Sequence, residues 1–568
     1  MLDRAARWGI LPSYYGWQGN LVETTRATSE AILAAMGATQ EDQEIKPPRV
    51  RRPKLSSEPC AAPPERTWGW AIQLYALRSR DSWGIGDLGD LRRFARWSKK
   101  RGASHILLNP LGAQTPTLPY EPSPYYASSR RFRNVLYLRI EDVEGAEKVQ
   151  QELQPQREQA LKLNQQRLID YDQVFQLKTN ALEAIFQAAP EPQGLTAYVR
   201  KQGQALRDFA TFNAVAEERG RAWRSWPDYL RHPRLEGLEP SRRRLAERIA
   251  FHEWMQFHLD RQLARASKEI GLVTDVPVGF ASDGYDAWRW QDLMAPGMRV
   301  GAPPDEFFRD GQDWGLPAFN PWMLSGAHWE PFVDAIRSAG THVAGIRLDH
   351  VMGLFRLFWI PEGMTAAQGA YVRYPAATLL ALLANESRRA RAFVVGEDLG
   401  LVQPAVRRHL RRRGSLSYRL LWFEGSEPRL WPRDAVAAVG THDLPTVAGI
   451  WTQDEPERRL HHLREKLVTM TQLPDATAPV DVAVAAYTEL ARGRPRIVLA
   501  SLEDALGVSE RPNVPGTTTE FPNWRLALPA SLEEIETADG VNRIANAMAA
   551  AGRSANLSRV PGARRAHS

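Results

Sequence analysis

The sequence has almost no cysteine and no long apolar run. Its one cysteine, Cys60, lies in a Pro/Ser-rich segment, so no disulfide can form within the chain and no cysteine cluster can hold a metal. The N-terminus "MLDRAARWGILPSYYGW" lacks the apolar core of a signal peptide, and no run of about 18 apolar residues occurs in the chain. These absences predict a cytoplasmic protein that is neither exported nor inserted in a membrane.

A strong excess of one charge is also missing. The chain has 73 basic and 66 acidic residues, which gives a net charge of +7. The densest basic runs, "KPPRVRRPK" from Lys46 and "RRHLRRRG" from Arg407, contain no aromatic residues that could stack on bases. We therefore expect no nucleic-acid partner.

Motifs for a cofactor or a metal are weak or absent. The stretch "GIGDLG", from Gly84 to Gly89, fits the pattern G-x-G-x-x-G of dinucleotide-binding loops. However, Asp87 inside the loop would repel a pyrophosphate, and the next strand-like run ends in "LLNPLG" without an acid that could bind a ribose. No histidines are spaced as H-x-x-x-H or H-E-x-x-H. We expect a plain strand-to-helix turn here, no cofactor and no metal.

The chain has the composition of a large globular protein, with 568 residues, 43% hydrophobic and 24% charged. From Trp68 onward, short apolar runs alternate with helical patterns, which is typical of βαβ units. Eight runs have the character of strands: "WAIQLYAL", "ASHILLNPL", "GLVTDVPVG", "THVAGIRLD", "RAFVVGED", "LSYRLLWF", "DAVAAVGTHD" and "RIVLASLED". Eight strands alternating with helices favour an α/β fold of the (β/α)8 TIM-barrel type over a doubly wound sheet.

The pattern also predicts how the chain is divided. Residues 1–66 are expected to form a short helical N-terminal arm, with a helix in "TTRATSEAILAAMG", followed by a proline-rich linker. Residues 67–545 are expected to form the catalytic barrel, interrupted at about 142–268 by a mainly helical insertion. Residues 546–568 are expected to form a C-terminal tail that could be disordered.

Acidic residues close three of the strand-like runs. They are Asp349 in "GIRLDH", Glu397 in "VVGEDLG" and Asp443 in "VGTHDLPT". A single acid at a strand end could be only the N-cap of the next helix. In a barrel, however, all strand ends of one polarity meet at one mouth, where active sites lie. Basic side chains accompany these acids: Arg347, His350 and His442. The cluster predicts acid/base chemistry.

Arg347 and Asp349 lie two residues apart, so their side chains should leave the same face of one strand. Two buried charges must either form an ion pair that only stabilises the fold or take part in function. Two carboxyls about 5–5.5 Å apart, one nucleophile and one proton donor, perform retaining glycoside chemistry. In this hypothesis Arg347 lowers the pKa of Asp349 and keeps it ionised, Glu397 has a raised pKa and acts as the acid, and Asp443 binds sugar hydroxyls.

At this point the sequence resembles a known family, the 4-alpha-glucanotransferases or amylomaltases of glycoside hydrolase family 77. The resemblance extends from about Trp68 to Arg525, and "YYGWQGNLVETTRATSEAILAAMG" is similar to the lead segment of longer bacterial members. The motifs that carry it are "LYALRSRDSWGIGDLGDL", "EPSPYYASSRRF", "DVPVGFASDGYDAW", "GAPPDEFFRDGQDWGLPAFNP", "GIRLDHVMGLFR", "VVGEDLG", "GTHDLPT" and "NVPGTTTEFPNWR".

The resemblance implies that Asp349 is the nucleophile, Glu397 the general acid/base and Asp443 the transition-state stabiliser, which agrees with the assignment from the residues. It also implies a set of sugar-binding residues, with Arg347 and His442 at the reacting sugar, Tyr125 and Trp314 on the acceptor side, and Asp305 on a loop over the cleft. His350 joins this set because it adjoins Asp349. Tyr125 and Trp314 taken alone could equally be packing residues.

The expected activity is transfer of alpha-1,4-glucan segments from a malto-oligosaccharide or starch-type donor to the 4-OH of an acceptor glucan or glucose. Two alternatives remain open at this stage. The same barrel could act as an alpha-glucan hydrolase, or the chain could be a glucan-binding protein without activity. The sequence does not determine the oligomeric state or the preferred chain length.

Overall fold

A computed structural model describes residues 2–38, 56–305, 308–400, 402–452, 461–517 and 519–554. The strands, in chain order, are β1 Ser13–Tyr15, β2 Leu21–Glu23, β3 Thr67–Ile72, β4 His105–Leu108, β5 Gly112–Ala113, β6 Ser129–Arg133, β7 Gly271–Val276, β8 Met294–Ala302, β9 Gln312–Phe319, β10 Gly345–Leu348, β11 Arg356–Pro361, β12 Ala370–Arg373, β13 Phe393–Gly396, β14 Leu416–Leu420, β15 Ala435–Ala438 and β16 Ile497–Ser501.

The α-helices of the described residues surround these strands. In chain order they are α1 Leu2–Arg7, α2 Arg26–Ala35, α3 Leu88–Lys100, α4 Gln154–Leu163, α5 Tyr171–Ala188, α6 Leu195–Gln202, α7 Gln204–Arg219, α8 Leu238–Arg244, α9 Ala246–Ser267, α10 Tyr285–Arg289, α11 Pro321–Gly326, α12 Glu330–Ala339, α13 Ala376–Ala390, α14 Pro404–Arg412, α15 Val447–Thr452, α16 His461–Thr471, α17 Pro479–Arg492, α18 Leu502–Ala505, α19 Leu532–Ile535 and α20 Asp539–Ala550. None of them is long and apolar enough to cross a lipid bilayer.

Eight parallel strands close into a barrel in the order β10-β13-β14-β15-β16-β3-β4-β7. These are the eight strands predicted from the sequence, so the (β/α)8 fold class is confirmed. The strands consist largely of Val, Ile, Leu and Ala because parallel strands in such a barrel are covered on both faces. The barrel interior is filled by alternate side chains of neighbouring strands, among them Leu107, Val273, Phe393, Val395, Tyr418, Val436 and Leu499.

The predicted strand-to-helix turn at "GIGDLG" is confirmed. Asp87 is the N-cap of α3, and its carboxylate accepts hydrogen bonds from the backbone N–H groups of Gly89 and Asp90. The same carboxylate forms an ion pair with Arg139 at 2.9 Å. The acid that argued against a phosphate-binding loop is therefore engaged in capping a helix.

A four-stranded antiparallel sheet in the order β12-β11-β8-β9 stands beside the barrel, and the sequence did not predict it. Strand β9 carries Trp314, so this sheet contributes a wall of the cleft described below. The N-terminal arm packs against the same sheet through Tyr14, whose ring meets those of Phe358 and Tyr371 edge-on. The sheet therefore connects the N-terminal arm with the catalytic end of the barrel.

The segment expected as a helical insertion, residues 142–268, contains α4 to α9. Of the proline-rich linker, residues 39–55 lie outside the described residues, as do residues 555–568 of the C-terminal tail. The described start of that tail is packed: α20 continues through residue 545 to Ala550, and Arg553 is fully buried. Its guanidinium donates hydrogen bonds to backbone carbonyls at the ends of α17 and β3, including those of Ala491, Gly493 and Thr67.

Candidate active site

Arg347 holds two carboxylates at the C-terminal end of β10. Its Nη1 lies 2.5 Å from Oδ2 of Asp275, and its Nη2 lies 3.1 Å from Oδ1 of Asp349. Arg347 and Asp275 are register partners on the adjacent parallel strands β10 and β7, so their side chains share the barrel interior. Tyr125 also donates its hydroxyl to Oδ2 of Asp275 at 2.6 Å. Arg347 and Asp349 are therefore side by side, as their spacing predicts.

Glu397 follows β13, which lies beside β10, and two backbone N–H groups hold its carboxyl. His350 donates to Oε2 at 2.9 Å, and Leu399 donates to Oε1 at 2.8 Å. His350 has a left-handed backbone (φ +42°), which is uncommon for a residue other than glycine. The residue that follows Asp349 thus contacts Glu397 directly. Asp349 and Glu397 are brought together in one cleft.

Asp443 follows β15 and is held from two sides. Its Oδ2 lies 3.2 Å from Nε2 of His442, and its Oδ1 accepts a hydrogen bond from Nδ2 of Asn513 at 2.6 Å. Burial would raise the pKa of Asp443, but His442 and the hydrogen bond from Asn513 outweigh burial, and the pKa is lowered. Asp443 therefore stays ionised at neutral pH.

The pKa of Asp349 differs from the expectation. Burial raises it to about 7; Arg347 lowers it, but the negative charges of Asp275, Glu397 and Asp443 add to the effect of burial. Arg347 thus lowers the pKa of Asp349, as expected, but burial and the surrounding acids outweigh it, because this one cation is shared with Asp275 and faces several acids. Burial also raises the pKa of Glu397, although Arg347 and the two N–H donors oppose it. The raised pKa expected for Glu397 is confirmed.

The cleft above these residues has a volume of about 500 Å³. Aromatic side chains line it together with the acids: Tyr125, Tyr126, Phe308, Trp314, Phe423 and Trp524. The ring of Trp314 packs edge-on against His350, with centroids 5.4 Å apart. Burial lowers the pKa of His350 to about 4, so this imidazole is neutral at pH 7. A cleft that combines several flat rings with a cluster of acids suits a sugar chain.

Asp305 is the one predicted site residue that does not line this cleft. Its Oδ1 accepts a hydrogen bond from the backbone N–H of Phe308 at 2.7 Å, and its own N–H donates to the Phe308 carbonyl. Phe308 does line the cleft. Asp305 therefore shapes the turn that presents Phe308, and its neighbours 306 and 307 lie outside the described residues.

Sequence reasoning missed Asp275 and Asn513 as site residues. Asp275 lies inside β7, one residue before its end, so it does not close an apolar run as the other acids do. Asn513 lies in the loop after α18, and its sequence neighbours give no sign that it reaches Asp443. The signal for Asp275 would have been an acid in register with Arg347 on the neighbouring strand.

Comparison with known proteins decides the family. A sequence model described as 4-alpha-glucanotransferase, glycoside hydrolase family 77, matches residues 72–532. The chain belongs to this family. As a 4-alpha-glucanotransferase, it is an enzyme that transfers glucan segments.

Individual 4-alpha-glucanotransferases agree with the family match. The protein of Mycobacterium tuberculosis is 38% identical over 552 residues, which cover 86% of this chain and 75% of that protein. The protein of Haemophilus influenzae is 32% identical over 543 residues, covering 84% of this chain and 78% of that protein. The crystal structure of amylomaltase from Corynebacterium glutamicum superimposes with a TM-score of 0.83 and 25% identity, covering 96% of this chain and 99% of the other.

Proposed function

We propose that this 4-alpha-glucanotransferase moves alpha-1,4-glucan segments from a malto-oligosaccharide or starch-type donor to the 4-OH of an acceptor glucan or glucose, by retaining double displacement. The observation that carries the proposal is the pair Asp349 and Glu397. Their carboxyls lie in one cleft at the ends of neighbouring strands, and the N–H next to Asp349 donates to Glu397. Such a pair supplies a nucleophile and a proton donor.

In the first step, an oxygen of Asp349 attacks C1 of the donor sugar, and the bond between C1 and O4 of the departing sugar breaks. Glu397 gives its proton to that O4, so the leaving group departs as a neutral alcohol. The direct ion pair with Arg347, at 3.1 Å, favours negative charge on Asp349. Glu397 has neutral N–H donors at both oxygens. The form that reacts is therefore the one in which Asp349 is ionised and Glu397 carries a proton.

In the second step, the ionised Glu397 accepts the proton of the acceptor's 4-OH while that oxygen attacks C1. The ester bond to Asp349 breaks, and the configuration at C1 is retained after two inversions. Positive charge develops on the sugar ring in both steps. Asp443, kept ionised by His442 and Asn513, stabilises this charge and binds ring hydroxyls.

The pH dependence should reveal the unusual pKa of Asp349. Asp349 must be ionised and Glu397 protonated, so kcat/KM should follow a bell-shaped profile that belongs to the pair. Because burial and the neighbouring acids raise the pKa of Asp349, activity should begin to fall at a pH well above about 4. An exposed aspartate would lose its charge only near pH 4. Initial rates on maltotriose between pH 4 and 9 test this, and an acidic limb near pH 4 would contradict it.

The reaction itself is tested by incubating the enzyme with maltotriose alone and separating the products by chromatography. Transfer produces glucose together with maltopentaose and longer chains, while the number of reducing ends stays constant. A hydrolase of the same barrel class would produce glucose and maltose and would increase the number of reducing ends. The latter outcome would contradict glucan transfer and support the alpha-glucan hydrolase instead.

Trp314→Ala should raise the ratio of hydrolysis to transfer. An aromatic face in the cleft can stack on an acceptor sugar and exclude water, and such a contact is worth about 0.5–1.5 kcal/mol. We therefore expect the ratio to rise about 2- to 10-fold. The measurement uses maltotetraose as the substrate. It compares the increase in reducing ends, which reports hydrolysis, with the amount of free glucose released.

The matched control for Trp314→Ala is Trp17→Ala. Trp17 is 38% exposed in the turn between β1 and β2 and is not among the residues that line the cleft. This control should keep the wild-type ratio. A folded Trp314→Ala variant with an unchanged ratio would assign Trp314 to packing alone.

A further inference from the structure

Trp524 has a backbone conformation that is costly for a bulky residue. It lies in the loop between α18 and α19 with φ +62°, in the left-handed region that favours glycine. A tryptophan persists there only where surrounding contacts hold it, and such residues cluster at functional sites. The residue is 6% exposed, and it is among those that line the catalytic cleft.

Both backbone polar groups of Trp524 are held from elsewhere in the chain. Its N–H donates to the carbonyl of Pro512 at 3.0 Å. Its carbonyl accepts the hydroxyl of Tyr171 at 2.6 Å, and Tyr171 is the buried first residue of α5. Next to this contact, the N–H of Ile169 donates to the carbonyl of Arg525 at 2.8 Å. Ile169 and Tyr171, at the start of α5, thus hold the backbone carbonyls of Trp524 and Arg525.

The indole of Trp524 completes a cluster of three rings. Its centroid lies 5.1 Å from that of His442 and 5.2 Å from that of Tyr125, and the latter two lie 5.0 Å apart. Each partner ring holds one acid of the site: His442 pairs with Asp443, and Tyr125 donates to Asp275. The indole therefore packs against both of the side chains that hold these acids.

We propose that Trp524 is a positioning residue for His442 and Tyr125, and that the hydroxyl of Tyr171 holds it in place, so that the helical segment 142–268 takes part in aligning the active site. This inference rests on the proposed roles of His442 and Asp443. It connects α5 with the reacting sugar through the hydrogen bond from Tyr171 to Trp524 and through the ring cluster of Trp524, His442 and Tyr125.

The first test compares Trp524→Gly with Trp524→Ala. Glycine tolerates the positive φ and alanine does not, so Trp524→Gly should be the more stable of the two. Both remove the indole, and both should lower kcat for maltotriose by about 10²-fold, with a smaller change in KM, since misplaced groups at the reacting centre cost rate rather than binding. Trp524→Phe should recover part of the loss. Wild-type kcat in folded Trp524→Gly would overturn the proposal.

The second test removes one hydroxyl. Tyr171→Phe keeps the ring but frees the carbonyl of Trp524, and kcat should fall about 3- to 10-fold, less than for loss of the indole. The matched control is Tyr285→Phe, because Tyr285 is also buried and donates its hydroxyl to a backbone carbonyl, that of Ala205, at 2.9 Å. It should lower the melting temperature but leave kcat unchanged.

The results separate the two proposals. Equal kcat values in Tyr171→Phe and Tyr285→Phe would show that the hydroxyl acts only on stability and would overturn the link to α5. A wild-type enzyme that hydrolyses maltotriose without transfer would instead defeat the proposed function, whatever the variants at Trp524 do.

Discussion

Replacing Asp349 by Asn is expected to lower kcat for glucan transfer by about 10⁴-fold or more, as when one member of a coupled catalytic set is removed. The amide cannot attack C1. It also carries no negative charge to pair with Nη2 of Arg347, which lies 3.1 Å from the Asp349 carboxylate in the wild type. The measurement is the rate of maltotriose disproportionation, with folding checked by thermal denaturation. The matched control is Asp334→Asn, because Asp334 pairs with Arg131 at 2.6 Å and is similarly accessible, with 16% of its side chain exposed against 24% for Asp349.

The role of Asp349 as the nucleophile can also be tested by trapping the glycosyl ester in Glu397→Gln. A glycosyl fluoride needs no proton to lose fluoride, so it can still load Asp349, but the amide cannot activate the acceptor in the second step. The glycosyl ester should therefore accumulate, and mass spectrometry of the digested protein should place it on the peptide that contains "LDHVMGL". Wild-type turnover in Asp349→Asn, or an adduct on Asp443, would leave Arg347 and Asp349 as a structural ion pair.

The barrel could be predicted because local sequence and global fold agree there. Most barrel strands are short runs rich in Val, Ile, Leu or Ala, since both of their faces are buried. Asp349 and Glu397 directly follow such strands, and Asp443 follows the end of β15 within a few residues. The sheet of β8, β9, β11 and β12 lacks this signal. Strand β8 contains Pro296, Gly297 and Gly301, and β9 contains Gly315 and Pro317, residues that are unfavourable in strands.

The site was predictable only where a residue's role follows from its place along the chain. Asp349, Glu397 and Asp443 are marked by strand ends. Asp275 lies 72 residues before Arg347, and only the register of β7 with β10 makes them neighbours. Trp524 depends on a left-handed backbone and on a hydrogen bond from α5, neither of which leaves a pattern in the sequence. The net direction of the pKa of Asp349 also required the positions of all the surrounding charges.

Replacement of Asp275 should also lower kcat strongly. Its Oδ2 accepts from both Arg347, at 2.5 Å, and Tyr125, at 2.6 Å, and only 4% of its side chain is exposed. Asp275→Asn leaves the buried guanidinium with one counter-charge, and removing one partner of a buried pair costs about 3–5 kcal/mol. Arg347 should then turn toward Asp349 while Tyr125 loses its acceptor. We expect the maximal kcat to fall by at least about 10²-fold.

The pH profile of Asp275→Asn distinguishes this electrostatic role from a loss of packing. The charge of Asp275 raises the pKa of Asp349, and Arg347 lowers it, so the variant should have a lower pKa at Asp349 on both counts. Asp349 would then stay ionised at more acidic pH, and the acidic limb of kcat/KM should move below that of the wild type. Asp286→Asn is the matched control, because Asp286 is a buried acid bonded to Ser129 and to the N–H of Arg130. That variant should be destabilised without any movement of the acidic limb. An unmoved limb in Asp275→Asn, or one that moves to higher pH, would show that Asp275 does not set the charge of Asp349.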